Sequence, residues 1–109
     1  MAYDEGLAQR LRDALEEQPG VTEKRMFGGI AFLLRGNMCC GVVGSDLMLR
    51  VGPDAYAETL ALPHTREMDF TGKPMKGFVY VAAEAIAEDE DLHARLAPAR
   101  AFAHALPAK

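Results

Sequence analysis

The sequence predicts an α+β domain in which helices pack on a mainly antiparallel sheet of about five to six strands. Three observations carry this. Apolar side chains recur at helical spacing at both ends of the chain, and between Val21 and Val51 the period drops to two. Two glycine-bearing turns, Gly36-Asn37 and Gly44-Ser45-Asp46, then cut that stretch into short strands.

The first helix spans residues 4 to 18. Leu7, Leu11 and Leu15, with Ala8 and Ala14 beside them, form its apolar stripe, and Arg10, Arg12, Asp13, Glu16 and Glu17 fill the other sides. Asp4 suits the N-cap, and Pro19-Gly20 stops the helix. "TEKRMF" follows as a short strand, with Lys24 and Met26 on one face and Arg25 and Phe27 on the other. Ile30, Phe32 and Leu34 alternate with Ala31, Leu33 and Arg35. Gly36-Asn37 closes a tight hairpin, since both residue types tolerate positive φ. On the return strand Met38, Cys40 and Val42 alternate with Cys39, Gly41 and Val43. A further turn leads into Leu47, Leu49 and Val51, with Met48 and Arg50 opposite.

Gly52-Pro53-Asp54 starts a helix that runs through Tyr56 and Leu60 and ends near Pro63. "HTREMDF" and "KGFVYVA" read as two further strands joined by "TGKPM", a turn or ordered loop. The C-terminal stretch "EAIAEDEDLHARLAPARAFAHAL" is helical, with Leu92, Leu96, Phe102 and Leu106 facing inward. Pro98 should kink or split it.

A chain of 109 residues fits a single domain over residues 1–109, able to bury roughly two-thirds of its unfolded surface without metal or disulfide staples. No apolar run approaches the ~20 residues of a membrane helix, and "MAYDEGLAQRLR" lacks a signal-peptide pattern, so a cytoplasmic protein without a membrane partner is expected. Sixteen acidic groups against twelve basic ones give a net charge of -4. Phosphate neutralisation supplies most nucleic-acid affinity, so binding to DNA or RNA unaided is not expected.

The chemistry-bearing residues are few. Phe27-Gly28-Gly29 lacks the Gly-Lys-Ser/Thr ending of a phosphate loop and precedes a strand, so it reads as a bulge or sharp bend. Cys39 and Cys40 point to opposite faces of a regular strand and cannot grip one metal ion together. One is then a core side chain and the other is partly exposed or lies under a helix, both reduced. A redox role for the exposed thiol is the alternative. His64, His93 and His104 are scattered, and although His93 and His104 share a side of the last helix, about three turns separate them. Ser45, the one serine, sits in a turn with no base near it in sequence. "AEDEDL" at 87 to 92 reads as carboxylates opposing the positive end of a helix dipole. No catalytic residue, metal ligand or cofactor is expected. Lys24, Arg25, Arg66, Lys73 and Lys76 fall in strands or loops. Such charges ordinarily form a solvated face, and if these five converge they offer a surface to a small anion or an acidic partner.

Four stretches, "MFGG" at 26 to 29, "GNM" at 36 to 38, "LMLRVG" at 47 to 52 and "MDFTGKPMKGFVYV" at 68 to 81, together resemble the N-terminal domain of the TfoX/Sxy family. Some members regulate bacterial competence. The resemblance spans nearly the whole chain. It implies a two-layer fold similar to type III secretion chaperones and no established catalytic residues. Full-length competence regulators carry a second, C-terminal domain, which this chain is expected to lack, so their transcriptional role does not transfer. The reading that follows is a non-catalytic domain that binds another protein, with a regulatory role. The alternatives are a co-regulator touching DNA through Lys24, Arg25, Lys73 and Lys76, and a thiol-dependent sensor or enzyme. "TEKRMF" and "LMLRV" are the candidate sheet edges. The first is guarded by charge. The second is mostly apolar, and at an edge it calls for cover by a second copy, so a homodimer is expected.

Overall fold

The computed structural model describes residues 3–26, 28–69, 72 and 75–107. Its elements follow the expected order: α1 (Glu5–Ala14), β1 (Val21–Met26), β2 (Gly29–Leu34), β3 (Asn37–Val43), β4 (Asp46–Arg50), α2 (Pro53–Leu60), β5 (Thr65–Glu67), β6 (Phe78–Val81), a 3-10 turn at Ala83–Ile86 and α3 (Asp89–Ala105). The strands form one antiparallel sheet in the order β1-β2-β3-β4-β6-β5. This is the α+β class that the periodicities predicted.

The strand alternation sorts side chains between two layers. Ile30, Phe32, Leu34, Val42, Leu47, Leu49, Val79 and Val81 face α1 and α3, meeting Leu7, Leu11 and Leu15 of the one and Leu92, Leu96, Ala99 and Ala103 of the other. Each fully buried Leu or Phe contributes about 1.5–3 kcal/mol relative to exposure, so this layer dominates stability. The other face gathers Ala31, Met48 and Tyr80. Met68 and Met75, from the connection between β5 and β6, pack there too, while Met26, Leu33, Met38 and Val43 remain half-buried.

Polar contacts cap the first helix and tie the elements together. Asp4 caps α1 by accepting from the Leu7 N–H at 3.1 Å. Arg10 donates to the Ile86 carbonyl oxygen at 2.7 Å and pairs with Asp89 at 3.1 Å, tying α1 to the start of α3. Arg95 of α3 donates to the Pro63 carbonyl oxygen and the Thr65 hydroxyl at 2.7 and 2.8 Å, which fixes the connection from α2 to β5.

Several expectations change. The hairpin turn is Arg35-Gly36, at φ 51° and 84°, and Asn37 opens β3 instead. Asn37 is buried because its amide meets the C-terminal segment, a partner invisible to local turn chemistry. "LMLRV" is interior, paired on one side with β3 and on the other with β6, so the argument for a dimer from an apolar edge loses its premise. The last helix is unbroken through Pro98 from Asp89 to Ala105. Its inward face ends in Ala99 and Ala103, whereas Phe102 is half-buried under Arg50 and Leu106 lies beyond the helix. The β5 strand keeps only three residues of "HTREMDF". Phe27, which was expected to share a strand face with Arg25, lies outside the described residues.

Candidate functional site

Among the described residues strand β1 pairs with β2 alone, and no other strand covers the far side of its backbone. Thr22, Glu23, Lys24 and Arg25 are all exposed there. The register sets Glu23 opposite Phe32 and Arg25 opposite Ile30, which places both on the helix side. Thr22 and Lys24, opposite Leu33 and Ala31, take the other face.

The charges on this edge are unequal in their freedom. Arg12, on the outer side of α1, grips Glu23 with two hydrogen bonds, Nε to Oε2 at 2.7 Å and Nη2 to Oε1 at 3.0 Å. That bidentate contact lowers the Glu23 pKa below the ordinary carboxylate value and raises that of Arg12. Lys24 and Arg25 have no carboxylate within ion-pair distance among the described residues. A shallow hollow of about 270 Å³ lies along the edge, lined by Tyr3, Arg12, Glu23, Lys24, Arg25 and Ile30. A second, of about 280 Å³, continues past Tyr3 and Arg25 to Met26, Gly28 and Gly29. Gly29 is there for close approach: a Cβ at this position would run into the carbonyl oxygen of Val42. The Phe27-Gly28-Gly29 motif thus serves strand packing at Gly29.

The five basic candidates do not form one patch. Arg66 sits on β5, at the opposite sheet edge from Lys24 and Arg25, about 24 Å away at ~4.8 Å per strand. It is also engaged, donating to Asp46 at 2.6 Å with its guanidinium 4.8 Å from the Tyr80 ring centre. Lys76 is exposed in the turn entering β6, and Lys73 lies outside the described residues.

The thiols are free and lie under the helices, but they do not face opposite sides of the strand as the sequence reading expected. Phe32 pairs with Cys40 and Leu33 with Met38, which leaves Cys39 as the extra residue of a β-bulge. The bulge breaks the alternation, so both side chains enter the core under the helices and neither is accessible. The hydrogen bond between the two thiols lowers the Cys39 pKa against the effect of burial, although Cys39 has no exposed surface, and with complete burial it pushes Cys40 well above the ordinary thiol range. A neutral, buried thiol is a poor nucleophile.

The remaining candidates stay apart. All three histidines are exposed; His64 precedes β5, and His93 and His104 share α3 about three turns apart. Asp89, Glu90 and Asp91 occupy the first turn of α3, as the dipole argument requires. Among the described residues no three His, Cys, Asp or Glu side chains are placed to share a metal ion. No helix there is long and apolar enough to cross a membrane. What sequence reasoning missed is the pairing of Arg12 with Glu23. The polar side of α1 gave no sign of which strand it would meet.

The family model described as TfoX N-terminal domain matches residues 13–103, which include every strand of the sheet and most of α3. No curated protein and no solved structure matches the chain.

Proposed function

Starting from the fact that the chain belongs to the TfoX N-terminal domain family, we propose that it is a non-catalytic domain that acts by binding another protein, in a regulatory role. One observation carries the reading: β1 presents a six-residue strand with an unpaired backbone edge and four exposed side chains. Such an edge is a docking template for an extended chain. The DNA-contacting alternative draws less support, because Lys76 leads into β6, four strand positions across the sheet from Lys24 and Arg25 on β1, in a protein of net charge -4. The thiol-sensor alternative loses its exposed thiol. A pull-down from the protein's own cell extract, competed with free chain, tests the reading beside a broad substrate screen. Competed capture without turnover is expected. Turnover without capture overturns it.

A further inference from the structure

Resting on that protein-binding reading, we infer that the β1 edge accepts an extended acidic segment of a partner protein, added as a seventh strand. The hollow beside the edge is lined by three cations, Arg12, Lys24 and Arg25, against one carboxylate, Glu23. Arg12 already neutralises that carboxylate. The edge is therefore locally cationic on a chain whose net charge is -4, and its two unpaired charges project to opposite faces of the strand. An added strand also alternates its side chains, so neighbouring carboxylates on it reach Arg25 on the helix side and Lys24 on the other. Backbone pairing supplies affinity, and the two cations select an acidic occupant.

A second copy of this chain fits the edge poorly. Two β1 strands related by a two-fold axis must oppose one residue to itself, because paired residues share a face. The central registers therefore set Glu23, Lys24 or Arg25 against the same residue of the second copy, and like charges directly opposite are destabilising. Duplex DNA fits poorly for another reason. It would use the two cations and leave the open backbone of β1 unpaired.

The test titrates the isotope-labelled full chain, followed by amide NMR, with a capped valine heptapeptide carrying two adjacent glutamates at its centre, one for each face of the added strand, and separately with the same peptide carrying two lysines instead. The glutamate peptide should shift amides of residues 21 to 26 saturably, and the lysine peptide should not. Reversing both charges with K24E and R25E should weaken the glutamate peptide about tenfold or more and admit the lysine peptide. Both positions are exposed, so the double variant should unfold at the same temperature as the parent. If it does not, the single variants repeat the titration. Three results overturn the proposal: no shift at β1 with the glutamate peptide, equal response to a short DNA duplex at the same amides, or light scattering that shows a dimer joined through β1. If the peptide fails while both the parent chain and the double variant still capture a partner from extract, the edge assignment falls and the protein-binding reading stands.

Discussion

Asn37 donates its side-chain amide to the Pro107 carbonyl oxygen at 2.8 Å, joining the β2–β3 hairpin to the segment beyond α3. Asn37 is 1% exposed, while the neighbouring Arg35 donates to the His104 carbonyl oxygen at 2.9 Å. The hairpin end is thus a clasp for the end of α3. Asn37→Ala removes one donor and leaves a small void, while water can reach the Pro107 carbonyl because Pro107 is exposed. The expected loss is about 1–2 kcal/mol. Hydrogen exchange should rise at the end of α3 more than in β2 and β3. Uniform protection in the variant would show that the clasp holds nothing.

The two buried thiols should be alike in accessibility and opposite in titration. Neither should react with a thiol reagent in the native protein, and both should react once it unfolds. Cys39→Ser and Cys40→Ser should each cost about 1–3 kcal/mol, because a hydroxyl replaces a sulfur side chain deep in an apolar layer. Cys40, being raised when folded, binds its proton more tightly in the native than in the unfolded chain. Its contribution is fully present below the ordinary thiol value of 9.0 and declines as pH rises above it. Urea titrations at increasing alkaline pH should show the parent losing more stability than Cys40→Ala.

The Arg12–Glu23 pair has the opposite pH sign. Glu23 titrates lower in the folded chain, so the pair contributes above the ordinary carboxylate value of 4.5 and is lost as pH falls through the lowered one. Both side chains are more than a third exposed, which limits the coupling to about 0.2–1 kcal/mol. A double-mutant cycle with Arg12→Ala and Glu23→Gln should recover that coupling at neutral pH and low salt. It should shrink in high salt or strong acid. Coupling that persists unchanged through both conditions would contradict an ion pair.

How far these features were legible depends on the distance over which they are determined. Leu7, Leu11 and Leu15 announced α1 because a helical stripe is written in one local window, and Leu47, Leu49 and Val51 likewise announced an inward strand face. The charged edge was also legible, since Thr22 to Arg25 is a poor sequence for a central strand. The interior place of β4 was not, because β6, its second neighbour, lies beyond a helix and another strand. Nor was the bulge: Met38, Cys39, Cys40 and Val42 are all apolar, so either phase of alternation reads equally well. The turn moved by one residue because Gly36 serves both Arg35-Gly36 and Gly36-Asn37, and the distant Pro107 that holds Asn37 lies outside any local window. At the candidate site, the edge strand could be read and its neutralising Arg12 could not.

Pro98 is the tenth residue of α3 and supplies no N–H to the helix. An interior proline costs about 3 kcal/mol relative to alanine, so something must offset it. Leu92, Leu96, Ala99 and Ala103 offset it by burying one face of α3 against the sheet, on both sides of the proline. Pro98→Ala restores a donor toward the carbonyl of Ala94. Two effects oppose the gain. The unfolded chain becomes more flexible, and the proline ring leaves the shallow hollow that it shares with Glu58, Thr59 and Leu62 near the end of α2. The net expectation is a stabilisation of about 1 kcal/mol, read as a higher unfolding midpoint in urea with an unchanged slope. A lower midpoint would mean that the ring's contact with α2 outweighs the missing hydrogen bond. In that case Leu62→Ala should cost more in the parent than in the proline variant, because the two side chains would then share one packing contact.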